Sequence, residues 1–221
     1  MSIFNHLKLN WHFINKCNMQ CKFCYSSKES CKDITFDVIP KIKSFKEINL
    51  VGGEPTIYGK YIYLLEKLHS QGHILSIVSN GAMFLINNNI FSKTVKYCET
   101  VGLSIDSINN ETCINIGRKL HNKKTISEEE YLYICKKIKD SGRLLKINTV
   151  INRYNYKENL IVTFTEGTDE SANETRIINL TDPFYDGNNG DDTAIGYDIT
   201  VDEVDSFNLI PNVTYPELQL E

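Results

Sequence analysis

Three thiols pose the chemical question. Cys17, Cys21 and Cys24 stand at spacing C-x3-C-x2-C in the run Cys17-Asn18-Met19-Gln20-Cys21-Lys22-Phe23-Cys24. A loop this short can wrap one small inorganic centre. A [4Fe–4S] cube normally takes four thiolates, so three ligands leave one iron open to a substrate or cofactor. Two other readings stay open on spacing alone: a zinc site completed by Cys31, or a set of buried, redox-inert thiols. Zinc sites more often use paired C-x2-C arms. A second group, Gly52-Gly53-Glu54-Pro55, forms a compact turn. Its glycines let backbone approach a ligand closely. Glu54 offers a carboxylate to an ammonium or amide group, and Pro55 fixes the exit from the turn.

These groups need a scaffold, and the apolar periodicity supplies one. Residues 7–14 alternate as a strand, residues 35–45 read as a short helix, and residues 47–51 read as a short buried strand. Tyr61, Leu64, Leu65 and Leu68 repeat at i, i+3, i+4, i+7, a helix face closed by Gly72. Strands follow at 75–78, 101–105 and 144–151, with a brief helix expected at 86–91. Tyr131, Ile134, Cys135 and Ile138 mark another helix, ended by Gly142. Strands separated by helices predict an α/β fold of βα units with a parallel sheet. Five to six such strands predict a partial barrel, smaller than the eight-stranded form. Barrel sites lie at the carboxyl ends of strands. The cysteine loop follows the first strand and the Gly-Gly-Glu turn follows the second. Cys135 lies on the apolar helix face and reads as core. Cys98 and Cys113 have no evident ligand partner.

With these elements in place, the motifs resemble the radical S-adenosylmethionine (SAM) superfamily, through the C-x3-C-x2-C loop joined to Gly-Gly-Glu after the second strand. The resemblance extends to the viperin-like enzymes over about residues 7–158. It runs through Asn10-Trp11-His12-Phe13, Cys17-Asn18, Val78-Ser79-Asn80-Gly81, Ser104-Ile105-Asp106-Ser107, Ile116-Gly117-Arg118 and Lys146-Ile147-Asn148-Thr149-Val150-Ile151-Asn152-Arg153. It implies a [4Fe–4S] cluster on Cys17, Cys21 and Cys24, whose open iron chelates SAM. It assigns Tyr25, Gly52, Gly53, Glu54, Ser79, Asn80, Ser104 and Asp106 to SAM. It assigns Asn10, His12, Lys28, Arg118, Lys146, Asn148 and Arg153 to a nucleoside triphosphate (CTP, GTP or UTP). The implied reaction removes hydrogen from the ribose C4′ and loses the 3′-hydroxyl as water. The product is a 3′-deoxy-3′,4′-didehydro nucleotide that terminates viral polymerases. A flavodoxin or ferredoxin is implied as electron donor.

The residues themselves fit that expectation in part. Lys146 and Asn148, at i, i+2 in an apolar strand, share one face, as do Asn10 and His12. In a barrel that face is the lumen, where a buried charge needs a partner. A triphosphate is one partner; a lysine snorkelling from a strand end is the plainer alternative. Ser79, Asn80, Ser104 and Asp106 end strands, suited to SAM's carboxylate and sugar. Arg118 stands near Lys119, Lys123 and Lys124, a run that ordinarily marks a solvated basic loop.

Composition bounds the rest. The chain has 221 residues, enough for one domain with a core and an appendage. No apolar run approaches the roughly 20 residues of a membrane span. Seven cysteines with no export signal at the start suggest a reducing compartment, the cytoplasm. Residues 1–159 hold 23 basic against 14 acidic side chains, a balance of +9. Residues 160–221 hold Arg176 alone against 14 acids, a balance of −13. That break divides the chain into a radical SAM core, 1–159, and an acidic segment, 160–221. The acidic segment matches no viperin element, and nothing here calls for nucleic acid. It is expected not to complete the barrel, leaving the edge of the fifth strand, or of a short sixth at 161–164, exposed. A β-rich module around 195–204 is the alternative. Residues 186–192 lack the ligand spacing of an EF-hand and read as a turn.

Overall fold

The computed structural model describes residues 7–24, 36–155 and 158, and the backbone of four strands between 160 and 210. Tyr25, Lys28, Cys31 and the acidic run 186–192 lie outside the described residues. Five parallel strands stand side by side in chain order: β1 (Lys8–Ile14), β2 (Glu47–Gly52), β3 (Ile74–Ser79), β4 (Cys98–Ser104) and β5 (Leu144–Ile151). The connections carry α1 (Tyr61–Ser70), α2 (Ala82–Ile86), α3 (Asn88–Tyr97), α4 (Asn110–Ile116) and α5 (Glu128–Asp140).

Parallel crossovers are right-handed. When each strand adds beside the previous one, every crossover falls on the same side of the sheet. The helices therefore cover one face and leave the other open. Burial shows both faces. Ile48 and Leu50, Leu75 and Ile77, Val101 and Leu103, and Leu145 and Ile147 are buried, as are Leu64, Leu65 and Leu68 of α1 and Tyr131, Ile134, Cys135 and Ile138 of α5. Alternate residues turn to the open face and are less buried: Asn10 and His12, Asn49, Ser76, Thr100, Lys146 and Asn148. Cys98 and Cys135 are core residues, and Cys113 is buried with its Sγ on the Ser107 carbonyl at 3.2 Å.

Three local details go beyond the sequence reading. The short helix expected at 35–45 is present at 36–42 as a 3-10 helix, with Pro40 inside it, where a missing N–H disfavours the α ladder. The helix expected at 86–91 is two helices broken at Asn87. That residue is extended, and its side chain accepts from Asn89 N and Ile90 N, both at 3.1 Å, so it caps α3. The helix α4 went unread. It is short, is capped by Asn109 and ends on Gly117 in the left-handed region at φ 78°.

Beyond residue 159, β6 (Leu160–Thr165) does not join the parallel sheet. It lies between β7 (Thr175–Ile178) and β9 (Ser206–Ile210) in a separate antiparallel sheet. β8 (Ile195–Val201) pairs antiparallel with β5 along its length, Ile199 opposite Ile147. The edge of β5 is thus covered, not exposed. A strand within 195–204 was foreseen; its pairing with β5 was not. No helix among the described residues is long and apolar enough to cross a membrane.

Candidate active site

The carboxyl ends of the strands converge on the cysteine loop, and backbone contacts fix that loop from two sides. On one side the Gly-Gly-Glu turn is strapped to the chain leaving β1: Gly53 N donates to Ile14 O at 2.6 Å and Glu54 N to Lys16 O at 2.8 Å. A Cβ on Gly53 would stand 2.2 Å from Lys16 O and 2.6 Å from Asn15 O. The glycine is therefore required by this close approach of two backbones, a different reason from the ligand contact expected in sequence. On the other side α4 ends against the loop. Lys22 N donates to Ile116 O at 2.9 Å and Gln20 N to Gly117 O at 3.3 Å, and Met19 bridges to Leu120.

Glu54 ties β2 to β3. Its carboxylate is fully buried and accepts from Ser79 Oγ at 2.8 Å, Asn80 N at 2.7 Å, Thr56 N at 3.1 Å and the Thr56 hydroxyl. Burial raises its pKa, and these donors pull it back. The sequence reading offered this carboxylate to a ligand ammonium; the structure fills it with the protein's own donors. Asn80 continues the link. Its Nδ2 donates to Asn18 Oδ1 at 2.7 Å and lies 3.9 Å from Cys17 Sγ.

Cys17 Sγ also accepts from Met19 N at 3.4 Å. Burial pushes the Cys17 thiol up to about 11 and raises Cys21, while the Arg118 guanidinium draws Cys21 down. Such thiols lose their protons on binding metal. The loop, with N–H donors aimed at Cys17 and Cys24 left exposed, fits a cluster.

Asp106 and Arg118 are placed differently from the sequence reading. Both are buried, and Arg118 Nε donates to Asp106 Oδ2. Asp106 Oδ1 accepts from Val150 N at 2.8 Å, and Arg118 Nη1 lies 3.9 Å from Met19 Sδ. This pair braces β4, β5 and the cysteine loop. Arg118 is not part of a solvated basic loop. Nearby, Glu158 accepts from Ser107 Oγ at 2.5 Å and from the Thr112 hydroxyl, which pins the chain after β5 to α4.

The open face carries a polar ladder that sequence reasoning found only in part. Asn49 Nδ2 donates to Asn10 Oδ1 and Ser76 Oγ to Asn49 Oδ1, both at 3.0 Å. Asn49 and Ser76 were missed, although each is a polar residue between two apolar ones in a mostly apolar strand. In register, Gly102 stands beside Lys146 and Ser104 beside Asn148. Asn148 Oδ1 is buried and has no hydrogen-bond donor among the described residues. Arg153 lies on the exposed surface against Tyr154.

The Radical SAM superfamily model matches residues 11–164, from within β1 into β6, with the cysteine loop and the ends of all five parallel strands. The chain belongs to the radical SAM superfamily, whose cofactors are a [4Fe–4S] cluster and SAM. Within it, the chain is 33% identical over 165 residues to an S-adenosylmethionine-dependent nucleotide dehydratase of Lacinutrix mariniflava, covering 69% of this chain and 34% of that protein. A dehydratase of the same name from Fibrobacter sp. is 30% identical over 171 residues, covering 69% of this chain and 50% of the relative. The chain thus spans a third to a half of the length of these relatives. Among solved structures, Streptococcus suis SuiB superposes with a TM-score of 0.53 at 20% identity, over 69% of this chain and 35% of SuiB, which shows the fold.

Proposed function

We propose that this chain carries the core of a viperin-type radical SAM enzyme that dehydrates a nucleoside triphosphate, CTP, GTP or UTP, in the cytoplasm. When bound, the cluster and SAM would supply the one-electron chemistry that removes hydrogen from the ribose. The chain's own residues hold the parts. Cys17, Cys21 and Cys24 hold the cluster. Gly52, Gly53, Ser79, Asn80 and Ser104 surround the place for SAM at the strand ends, with Glu54 and Asp106 fixing the backbone around it. Asn10, His12, Lys146 and Asn148 face the nucleotide from the open side of the sheet. A product without its 3′-hydroxyl would stop a polymerase, which is the antiviral role the reading carries.

The observation that supports a nucleotide most directly is Asn148 Oδ1. A buried acceptor without a donor costs about 1–3 kcal/mol, and it stands beside Lys146 and the Asn10–Asn49–Ser76 ladder on a polar face. A ribose hydroxyl would satisfy the acceptor. The test is anaerobic SAM cleavage with and without each triphosphate. One of CTP, GTP or UTP should stimulate 5′-deoxyadenosine formation, and Lys146→Met should weaken its binding by about 10- to 100-fold, from 1.5–3 kcal/mol per charged hydrogen bond. No stimulation by any of the three, with SAM still bound, would sink the substrate class.

A further inference from the structure

Beside the cysteine loop lies a cationic and aromatic patch. Lys22 falls between Cys21 and Cys24, and its backbone is pinned to Ile116 O at 2.9 Å, so its side chain leaves from a fixed point. Its Nζ lies over the Tyr154 ring, 5.3 Å from the centroid. The Arg153 guanidinium lies 4.8 Å from the same centroid, and its Nη2 donates to Tyr154 Oη at 2.8 Å. Lys22, Arg153, Tyr154 and Cys24 are all exposed. Two positive charges therefore gather on one exposed ring at the rim of the loop.

We infer that Lys22, Arg153 and Tyr154 form the docking surface for an acidic one-electron carrier protein. The inference rests on the radical SAM reading above. An electron for the cluster must come from outside the chain and must arrive close to it. The turn after β2, the end of β3 and the end of α4 close the loop on their sides, whereas Cys24 and Lys22 face solvent. Positive charge at that rim steers a negatively charged partner. Tyrosine, apolar in body and polar at its tip, suits the centre of such a contact. One electron passes from the reduced carrier to the cluster; the carrier is oxidised by one electron, the cluster is reduced by one, and no bond or proton moves.

The experiment follows bleaching of the cluster in the anaerobically reconstituted full chain. Fully reduced flavodoxin is the acidic probe, and reduced methyl viologen, a small cation without an interface, is the control. The flavodoxin rate should fall about tenfold or more from low to high salt. Lys22→Glu should slow it by about tenfold at low salt and remove most of the salt dependence, and Lys22→Arg should restore both. The methyl viologen rate and the iron content should stay as in the wild type. Equal flavodoxin rates in Lys22→Glu and wild type would overturn the surface. So would a common slowing with both reductants, because the charge would then act on the cluster itself. A wild-type flavodoxin rate that rises with salt would assign the patch to the chain's own acidic residues 160–221 and overturn the proposal. A wild-type chain with no cluster that methyl viologen can reduce would overturn the underlying reading, and the surface with it.

Discussion

Glu54 is a carboxylate with its oxygens committed to the chain that holds it. Burial is the largest influence on it and raises its pKa above the ordinary 4.5. The sign of its pH effect follows. Below the ordinary carboxylate range both the folded and unfolded chains keep the proton. As pH rises, the unfolded chain releases its proton first, so this group's contribution to stability declines until the folded pKa is passed. Glu158 shares the direction, again mainly through burial, whereas half-buried Glu66 and exposed Glu129 are lowered by hydrogen bonds and act oppositely. The total slope is therefore mixed, and a variant isolates the term. The urea midpoint of the wild type relative to Glu54→Gln should decrease between pH 4 and pH 7. A constant or growing difference would show that the four donors outweigh burial. The sequence made Glu54 legible as part of the site, through the Gly-Gly-Glu-Pro turn. Its partners Thr56, Ser79 and Asn80 were not legible as such, because they meet only when the ends of β2 and β3 lie side by side.

At the scale of elements, the parallel order was readable because each strand has strict alternation or a short apolar run, and each long helix has a complete apolar stripe. What escaped was α4. Seven residues give too few turns for a periodicity, and its signals are a cap at Asn109 and a left-handed end at Gly117. Yet this element carries one wall of the cysteine loop. Gly117 sits at φ +78°, and a Cβ there would stand 2.2 Å from Gln20 O and 3.3 Å from the Cys21 Cα. A branched side chain would incur about 1–2 kcal/mol for the left-handed backbone and would also push the loop away. Gly117→Val should therefore reduce iron and sulfide per chain after reconstitution while leaving the far-ultraviolet spectrum close to wild type, since the buried sheet and long helices do not depend on this contact. A full complement of iron and sulfide in the variant would mean that the loop is positioned without α4.

Across the whole molecule, the change of charge after residue 159 falls just before the end of the family match at residue 164, and the expectation that the tail leaves the barrel unfinished rested on it. Charge and composition could not reveal which strand would meet β5. An antiparallel partner can come from any later segment, and its register is set by the pairing itself and not by a local signal. The structure uses β8, pairing Leu145 with Val201 through to Ile151 with Ile195. An uncovered β5 would present a row of unpaired backbone groups next to Lys146 and Asn148, a liability for aggregation and for the shape of the open face. The prediction is made at the middle of that ladder. Ile199→Pro removes one backbone N–H opposite Ile147 and restricts the strand. Hydrogen exchange should then quicken selectively in residues 145–151, with β2 and β3 protected as in the wild type, because those strands keep their neighbours. Lys146 and Asn148 stand on the strand that loosens, so under the proposed function the affinity for the triphosphate should fall in the same variant while iron and sulfide content stay as in the wild type, because the cysteine loop is fixed by the ends of β1, β2 and α4. Unchanged exchange across residues 145–151 would show that β5 does not depend on β8 for its order and would leave the five parallel strands as the complete structural unit of the site.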